Sequence, residues 1–220
     1  MLIEDLVRRA RELARGDRAI LGIAGPPGSG KSTLATLLVT RLSGAAEKVA
    51  HLPMDGFHLS DAALDRLGRR GRKGAIDTFD AYGYLALLRR LHAERDHAVY
   101  APDFERKLEQ PIANSIAIEP TTRLVVTEGN YLLADVPPWP VIRAEMAEVW
   151  FVESDDARRR EQLVARHIEF GKIPEAAGRW VDEVDEANAR LIALGRDSAD
   201  LIVDISQLTM PDATPRTRPY

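Results

Sequence analysis

The sequence predicts an α/β fold, a parallel five-stranded sheet flanked by helices, and three observations carry that expectation. Five short apolar runs, at 20–24, 49–53, 124–127, 149–152 and 201–205, are bounded by turn signals and separated by helical or loop-rich sequence. Runs without polar alternation suit strands buried on both faces, as in parallel sheets covered by helices. The first run leads directly into Gly25-Pro26-Pro27-Gly28-Ser29-Gly30-Lys31-Ser32, after which Thr33-Leu34-Ala35 opens a helical pattern. Strand, glycine-rich loop and helix thus follow in order. Finally, 220 residues form one domain with a full core and leave little for a second.

Taken in order, the elements begin with Glu4, Asp5, Arg8 and Arg9 set among Leu2, Ile3, Leu6 and Val7, an amphipathic helix and not a signal peptide. Helices are predicted at 31–42, 61–69, 83–95, 155–170 and 175–194. Ser154, Asp155 and Asp156 make a good start for the fourth of these. In the last, Ala177, Trp180, Val181, Val184, Ala187, Leu191 and Leu194 follow helical spacing after Pro174 and are read as core. Between 99 and 118, two extended pieces around Lys107-Leu108-Glu109-Gln110-Pro111 read as a small hairpin outside the main sheet. A helical lid is expected at about 155–175, and the proline-rich stretch 208–220 reads as a surface tail.

Composition narrows the classes of function. The chain has no cysteine, which excludes disulfides, thiolate metal sites and cysteine nucleophiles. Its formal charge of −4 gives no overall attraction to nucleic acid or anionic membrane, so any basic site must be local. No apolar run approaches the ~18 residues of a membrane span. The expectation is a soluble cytoplasmic protein that binds neither nucleic acid nor membrane, with a homodimer left open.

The segment from Gly25 to Ser32 fits G-x-x-x-x-G-K-[ST], the phosphate-binding loop of nucleoside triphosphatases, so the expected architecture is a P-loop NTPase fold. Its glycines let successive N–H groups face phosphate oxygens, with the positive end of the next helix behind them. Gly25, Pro26, Pro27, Gly28, Ser29, Gly30, Lys31, Ser32 and Thr33 are therefore the predicted nucleotide-binding residues. Lys31 can reach the β- and γ-phosphates, and the Ser32 hydroxyl can ligate Mg²⁺.

In open parallel sheets, ligands collect at the carboxyl ends of the strands. Glu128 stands there after 124–127, placed as an acid that holds Mg²⁺ directly or through water, or else as a strand-terminal cap. Asp55 stands after the second run. A carboxylate beside the γ-phosphate can take the proton of an acceptor hydroxyl and align its oxygen for in-line attack. An Asp-Gly pair is equally a common turn, so spacing alone leaves both readings open. His51 and His58 have no third ligand at a metal spacing, and His58 is read as a substrate contact or packing. One basic cluster, Arg66, Arg69, Arg70, Arg72 and Lys73, is either a solvated loop or an acceptor clamp. Within the other, Arg159 and Arg166 lie seven apart, hence on one helix face. They can neutralise developing charge from a closing lid or pair with neighbouring acids.

The motifs together resemble a known family. The ordered set Gly25 to Ser32, Asp55-Gly56-Phe57-His58, Arg72-Lys73-Gly74, Asp103-Phe104-Glu105-Arg106, Glu128-Gly129-Asn130-Tyr131-Leu132-Leu133 and Arg166-His167 is similar to the group of uridine kinases, phosphoribulokinases and type I pantothenate kinases. The nearest look-alikes are nucleoside/nucleotide kinase-like proteins labelled fructose transport system kinases. The resemblance covers roughly 20–205. It implies Asp55 as catalytic base, Glu128 in Mg²⁺ and substrate placement, and Arg159 and Arg166 on ATP phosphates. It further implies that Asp55, His58, Arg72, Lys73, Phe79, Asp80, Asp103, Phe104, Arg106 and Glu128 build the acceptor pocket. Two positions depart from the uridine kinase pattern: Pro102 stands for a tyrosine, and His167 follows Arg166 where an aspartate is usual.

The expected activity is an ATP- and Mg²⁺-dependent transfer of the γ-phosphoryl group to a hydroxyl of a small metabolite, a nucleoside or sugar. Lys31, Asp55, Arg159 and Arg166 are its catalytic candidates, and Ser32 and Glu128 its metal ligands. A pantothenate kinase-like enzyme, a non-catalytic nucleotide-binding regulator and a nucleic-acid-associated ATPase are the competing readings.

Overall fold

The computed structural model describes residues 2–43 and 48–208, so the expected tail beyond 208 lies outside the described residues. In chain order the strands are β1 (Ala19–Ala24), β2 (Val49–Pro53), β3 (Val99–Glu105), β4 (Gln110–Ile118), β5 (Leu124–Gly129), β6 (Glu148–Glu153) and β7 (Leu201–Asp204). The helices are α1 (Ile3–Leu13), α2 (Lys31–Ser43), α3 (Asp61–Leu67), α4 (Ala81–Ala93), α5 (Trp139–Ala144), α6 (Asp156–Glu169), α7 (Pro174–Trp180) and α8 (Glu186–Ala193). A short 3₁₀ turn, Met54–Phe57, follows β2.

All five predicted runs enter one sheet in the order β2-β5-β1-β6-β7, with every neighbouring pair parallel. Every residue of β5 is buried, and only Ala19 of β1 is not. Successive side chains divide between two cores, as strand geometry requires. Ile20 and Ala24 join α4 and α5 on one face, while Leu21 and Ile23 join α1 and α2 on the other. Helix α1 contributes Ile3, Leu6, Val7 and Ala10, one helical stripe. Because β1 sits between β5 and β6, the chain reverses its direction of winding there, and a crevice opens at the carboxyl ends of these strands.

The hairpin of β3 and β4 stands apart as its own two-stranded sheet, as expected. Its register shifts between Ala101 and Asp103, at Pro102, which has no N–H to give the ladder. The bulge carbonyl of Pro102 lies where a side chain at residue 56 would stand, so only glycine lets the hairpin come this close behind Asp55.

The last predicted helix is interrupted. Between α7 and α8, Val181–Asp185 form a π-helical turn. One extra residue in a helix rotates everything after it by roughly 100°. Consequently Ala187 and Leu194, expected in the core, are exposed, and Ala189, Ile192 and Asp185 are buried instead. Helix α5 was not predicted; it has six residues and buries only Trp139 and Ile142, too few to show a period. Among the described residues, no helix is long and apolar enough to cross a membrane.

Candidate active site

The loop after β1 turns sharply, with Gly25, Gly28 and Gly30 at φ of 149°, 77° and 92°. At Gly28 a Cβ would be strained by that angle and would meet Leu163 Cγ at 2.9 Å, so helix α6 packs directly on the loop. Asp155 caps α6, accepting from Arg158 N at 2.9 Å, which fixes where the helix starts above the loop. Ser29 is buried, with no hydrogen-bond partner for its hydroxyl.

Lys31 opens α2 and donates to the carbonyl of Pro26 at 2.9 Å. Burial lowers its pKa from 10.5 to about 8. Glu128 and Asp55 oppose the shift, and Arg166 and Arg159 add to it. The loop therefore holds a desolvated ammonium whose charge an anionic ligand would stabilise.

Glu128 stands one residue before the end of β5 and is 5% exposed. Burial raises its pKa first, and Asp55 second, against the lowering effects of Lys31 and of the Ser32 hydroxyl, which donates to Oε1 at 2.9 Å. Beneath it, Thr127 donates to the Leu52 carbonyl at 2.6 Å. That leaves the Tyr84 hydroxyl to donate to Thr127, also at 2.6 Å. The network ties α4, β5 and β2 under the acid.

Ser32 and Glu128 present hard oxygen donors side by side, and no group of three His, Cys, Asp or Glu able to hold a metal exists among the described residues. This donor set fits Mg²⁺, which takes one or two protein oxygens and completes its shell with water and phosphate.

Asp55 lies on the 3₁₀ turn, its carboxylate 3.4 Å from Arg106 Nη2. The Asp55 carbonyl accepts from His58 Nδ1 at 2.8 Å, so the His58 proton is on Nδ1 and Nε2 is left as an acceptor. Burial holds the His58 pKa below its usual value. The ring stands between Phe79 and Phe104, with centroids 4.1 Å and 4.8 Å away. Lys73 sits over Phe104 at 5.5 Å, pairs with Asp61 at 2.7 Å and also donates to the Glu109 carbonyl.

These groups line one cavity of about 810 Å³, within the range of small-molecule sites. Of the residues singled out in the sequence, Pro27, Gly28, Gly30, Lys31, Ser32, Thr33, Asp55, His58, Lys73, Phe104, Arg106, Glu128 and Arg166 of the predicted site reach it, as do Arg70, Gly74, Asn130 and His167 of the basic cluster and family motifs. The others do not. Arg72 is exposed and paired with Asp77 at 2.7 Å. Phe79 packs behind His58 and against Tyr131. Asp80 caps α4, accepting from Gly83 N. Asp103 accepts from the Phe104 N–H. Arg159, 2% exposed, is turned behind the loop, donating to Pro27 O and pairing with Glu186 at 2.7 Å and Asp156 at 3.1 Å. Arg166 instead lines the cavity, and its guanidinium hydrogen-bonds no described residue.

The cavity also gathers Asp61, Gln162, Asp185 and Asn188, none marked in the sequence, and Trp180, which was read there as core. Asp185 and Asn188 were hidden inside an apolar helical stripe, and only the π turn exposes them to the site. Tyr131 and Asn188 both donate to the Gly74 carbonyl, at 2.6 Å and 3.4 Å, pinning the basic loop to the C-terminal helix.

A triphosphate-binding loop, a buried acid beside its serine, a second carboxylate near that acid and a helical hairpin define the P-loop kinase class. The comparisons agree. No protein-family profile matches the chain. It is 41% identical over 213 residues to "Putative uridine kinase C227.14" of Schizosaccharomyces pombe, covering 91% of this chain and 89% of that protein. It is 37% identical over 131 residues to "ATP-dependent kinase-like protein notR'" of Aspergillus versicolor, covering 56% of this chain and 76% of that one. A solved structure described as a "putative fructose transport system kinase" of Silicibacter sp. TM1040 superposes with a TM-score of 0.85 at 35% identity, over 92% of this chain and 99% of the other. The chain belongs to the uridine kinase-like group of P-loop kinases.

Proposed function

We propose that the protein transfers the γ-phosphoryl group of ATP to a hydroxyl of a small metabolite, a nucleoside or a sugar. The observation that carries this reading is the convergence of Lys31, Ser32, Glu128, Asp55 and Arg166 on one cavity whose far wall is His58, Lys73, Phe104 and Arg106. Lys31 and Arg166 neutralise the transferring group, and Asp55 orients the acceptor hydroxyl and takes its proton as its oxygen bonds to the γ-phosphorus. The bond to the β–γ bridging oxygen breaks and ADP leaves. Ser32 and Glu128 would hold Mg²⁺, which when bound offsets phosphate charge. The Phe104 face and the His58 acceptor atom suit a flat or ring-shaped acceptor with hydroxyl donors.

The test is acceptor-dependent ADP formation from Mg²⁺-ATP across nucleosides, sugars, sugar phosphates and pantothenate, with each product identified by mass. A product heavier by one phosphoryl group is expected from the nucleoside or sugar set. Turnover confined to pantothenate would shift the acceptor class, and ATP binding without any product would contradict the reading.

A further inference from the structure

His167 lines the cavity from α6 and places Nε2 2.8 Å from Asp185 Oδ2, with the two side chains 17% and 11% exposed. This pairing depends on the π turn, which rotates Asp185 inward from a helix otherwise read as an apolar stripe. The ring is further held by an edge-on contact with Trp180, centroids 6.3 Å apart, and Trp180 is itself covered by the Lys172 ammonium at 4.5 Å. A carboxylate only accepts, so in the neutral ring Asp185 fixes the proton on Nε2 and leaves a lone pair on Nδ1. Nδ1 has no protein partner among the described residues and is not one of the buried orphaned atoms, so solvent reaches it.

We infer that His167 is a specificity-determining residue whose Nδ1 accepts a hydrogen bond from a second hydroxyl of the acceptor, with Asp185 as the positioning residue that sets its tautomer. The inference rests on the kinase reading and deepens it. An atom that only accepts rewards hydroxyl donors and gives nothing to phosphate or carboxylate oxygens. The acceptor class is therefore a polyol, with one hydroxyl at Asp55 for transfer and another at His167 for recognition. At the Asp55 end the cations are already matched: Arg106 to Asp55, Lys73 to Asp61, and Arg70 to Asp61 and Asp65. Among the described residues, that wall offers no unpaired cation to an anionic acceptor.

Two measurements on the full-length protein at pH 8 test this. Long-range ¹H–¹⁵N NMR of histidine-labelled protein, with His167 assigned by its loss in His167→Gln, is expected to show the Nε2–H tautomer and a weaker bias in Asp185→Asn. A ring protonated on Nδ1 overturns the inference whatever the activity. For turnover, uridine, D-ribose, D-fructose and pantothenate are the probes, together with single-deoxy analogues of whichever is phosphorylated. His167→Gln keeps a donor toward Asp185 but removes the Nδ1 acceptor, so the acceptor KM is expected to rise about tenfold while the ATP KM stays within about twofold. His167→Asn, which can present an oxygen near the Nδ1 position, is expected to recover part of the loss. One deoxy analogue is expected to lose its distinction between wild type and His167→Gln. Unchanged acceptor KM in His167→Gln, with the wild type active, overturns this inference alone. No turnover by the wild type with any probe overturns the kinase reading and this inference with it.

Discussion

Replacing Lys31 with methionine is expected to stabilise the nucleotide-free protein at pH 7 while weakening nucleotide binding. Burial lowers the Lys31 pKa from 10.5 to about 8, so keeping the ammonium charged inside the loop costs about 3 kcal/mol at about 1.4 kcal/mol per pH unit. Because the folded-state pKa lies below the unfolded one, the penalty is fully present below about pH 8 and is gone above about pH 10.5. Methionine removes the charge but also the 2.9 Å bond to the Pro26 carbonyl, worth about 1 kcal/mol. The net gain at pH 7 is about 2 kcal/mol, and by pH 10 the remaining penalty of under about 1 kcal/mol no longer exceeds the lost bond. Urea unfolding at the two pH values, without nucleotide, measures the difference. A Lys31→Met variant no more stable than wild type at pH 7, or a gain of equal size at pH 10, would refute the reasoning. Under the proposed function, a bound triphosphate would offset this penalty by placing its negative charge beside Lys31.

Three further outcomes follow from the surrounding structure. Thr127→Val strands the Tyr84 hydroxyl and the Leu52 carbonyl, so denaturant unfolding should show a loss of about 2–3 kcal/mol. Arg18 is 3% exposed and donates to the carbonyls of Leu91, Glu94, Glu119, Pro120 and Thr122. Arg18→Met should therefore cost about 3 kcal/mol by the same measurement. Glu128→Gln removes the carboxylate next to Ser32, and calorimetry with a non-hydrolysable ATP analogue should show the Mg²⁺-dependent gain in affinity falling at least about tenfold.

The parts of the fold legible in the sequence are those built from local pattern. The strands β1, β2, β5, β6 and β7 lie on the five apolar runs; β1, β5 and β6 are buried on both faces and so have few polar positions to obscure them, while the edge strands β2 and β7, half-buried, keep apolar runs of their own. The glycine-rich loop was legible because its geometry demands particular residues at fixed spacing. Asp185 and Asn188 were not. Their place in the cavity depends on the π turn at Val181–Asp185, which changes the helical phase without leaving a signal in the hydrophobic spacing. Arg159 and Arg166 show the same limit from the other side. Seven residues put both on one face of α6, yet Arg159 lies behind the loop, held by Glu186 and Pro27, while Arg166 opens on the cavity. Which of two arginines faces a ligand is settled by packing against other elements, and one helix's spacing does not contain that information. Arg72, Asp80 and Asp103 are likewise occupied by local ion pairs and caps that form only once the loops are folded.

The most direct test is transfer by Asp55→Asn with the acceptor that the panel identifies. Asparagine keeps the size of the side chain and removes both the proposed base and the charged partner of Arg106. Binding of the ATP analogue should stay within about threefold of wild type while phosphorylated product falls by about 10²–10⁴. Product formation at the wild-type rate in that variant would contradict the assignment of Asp55 as the base.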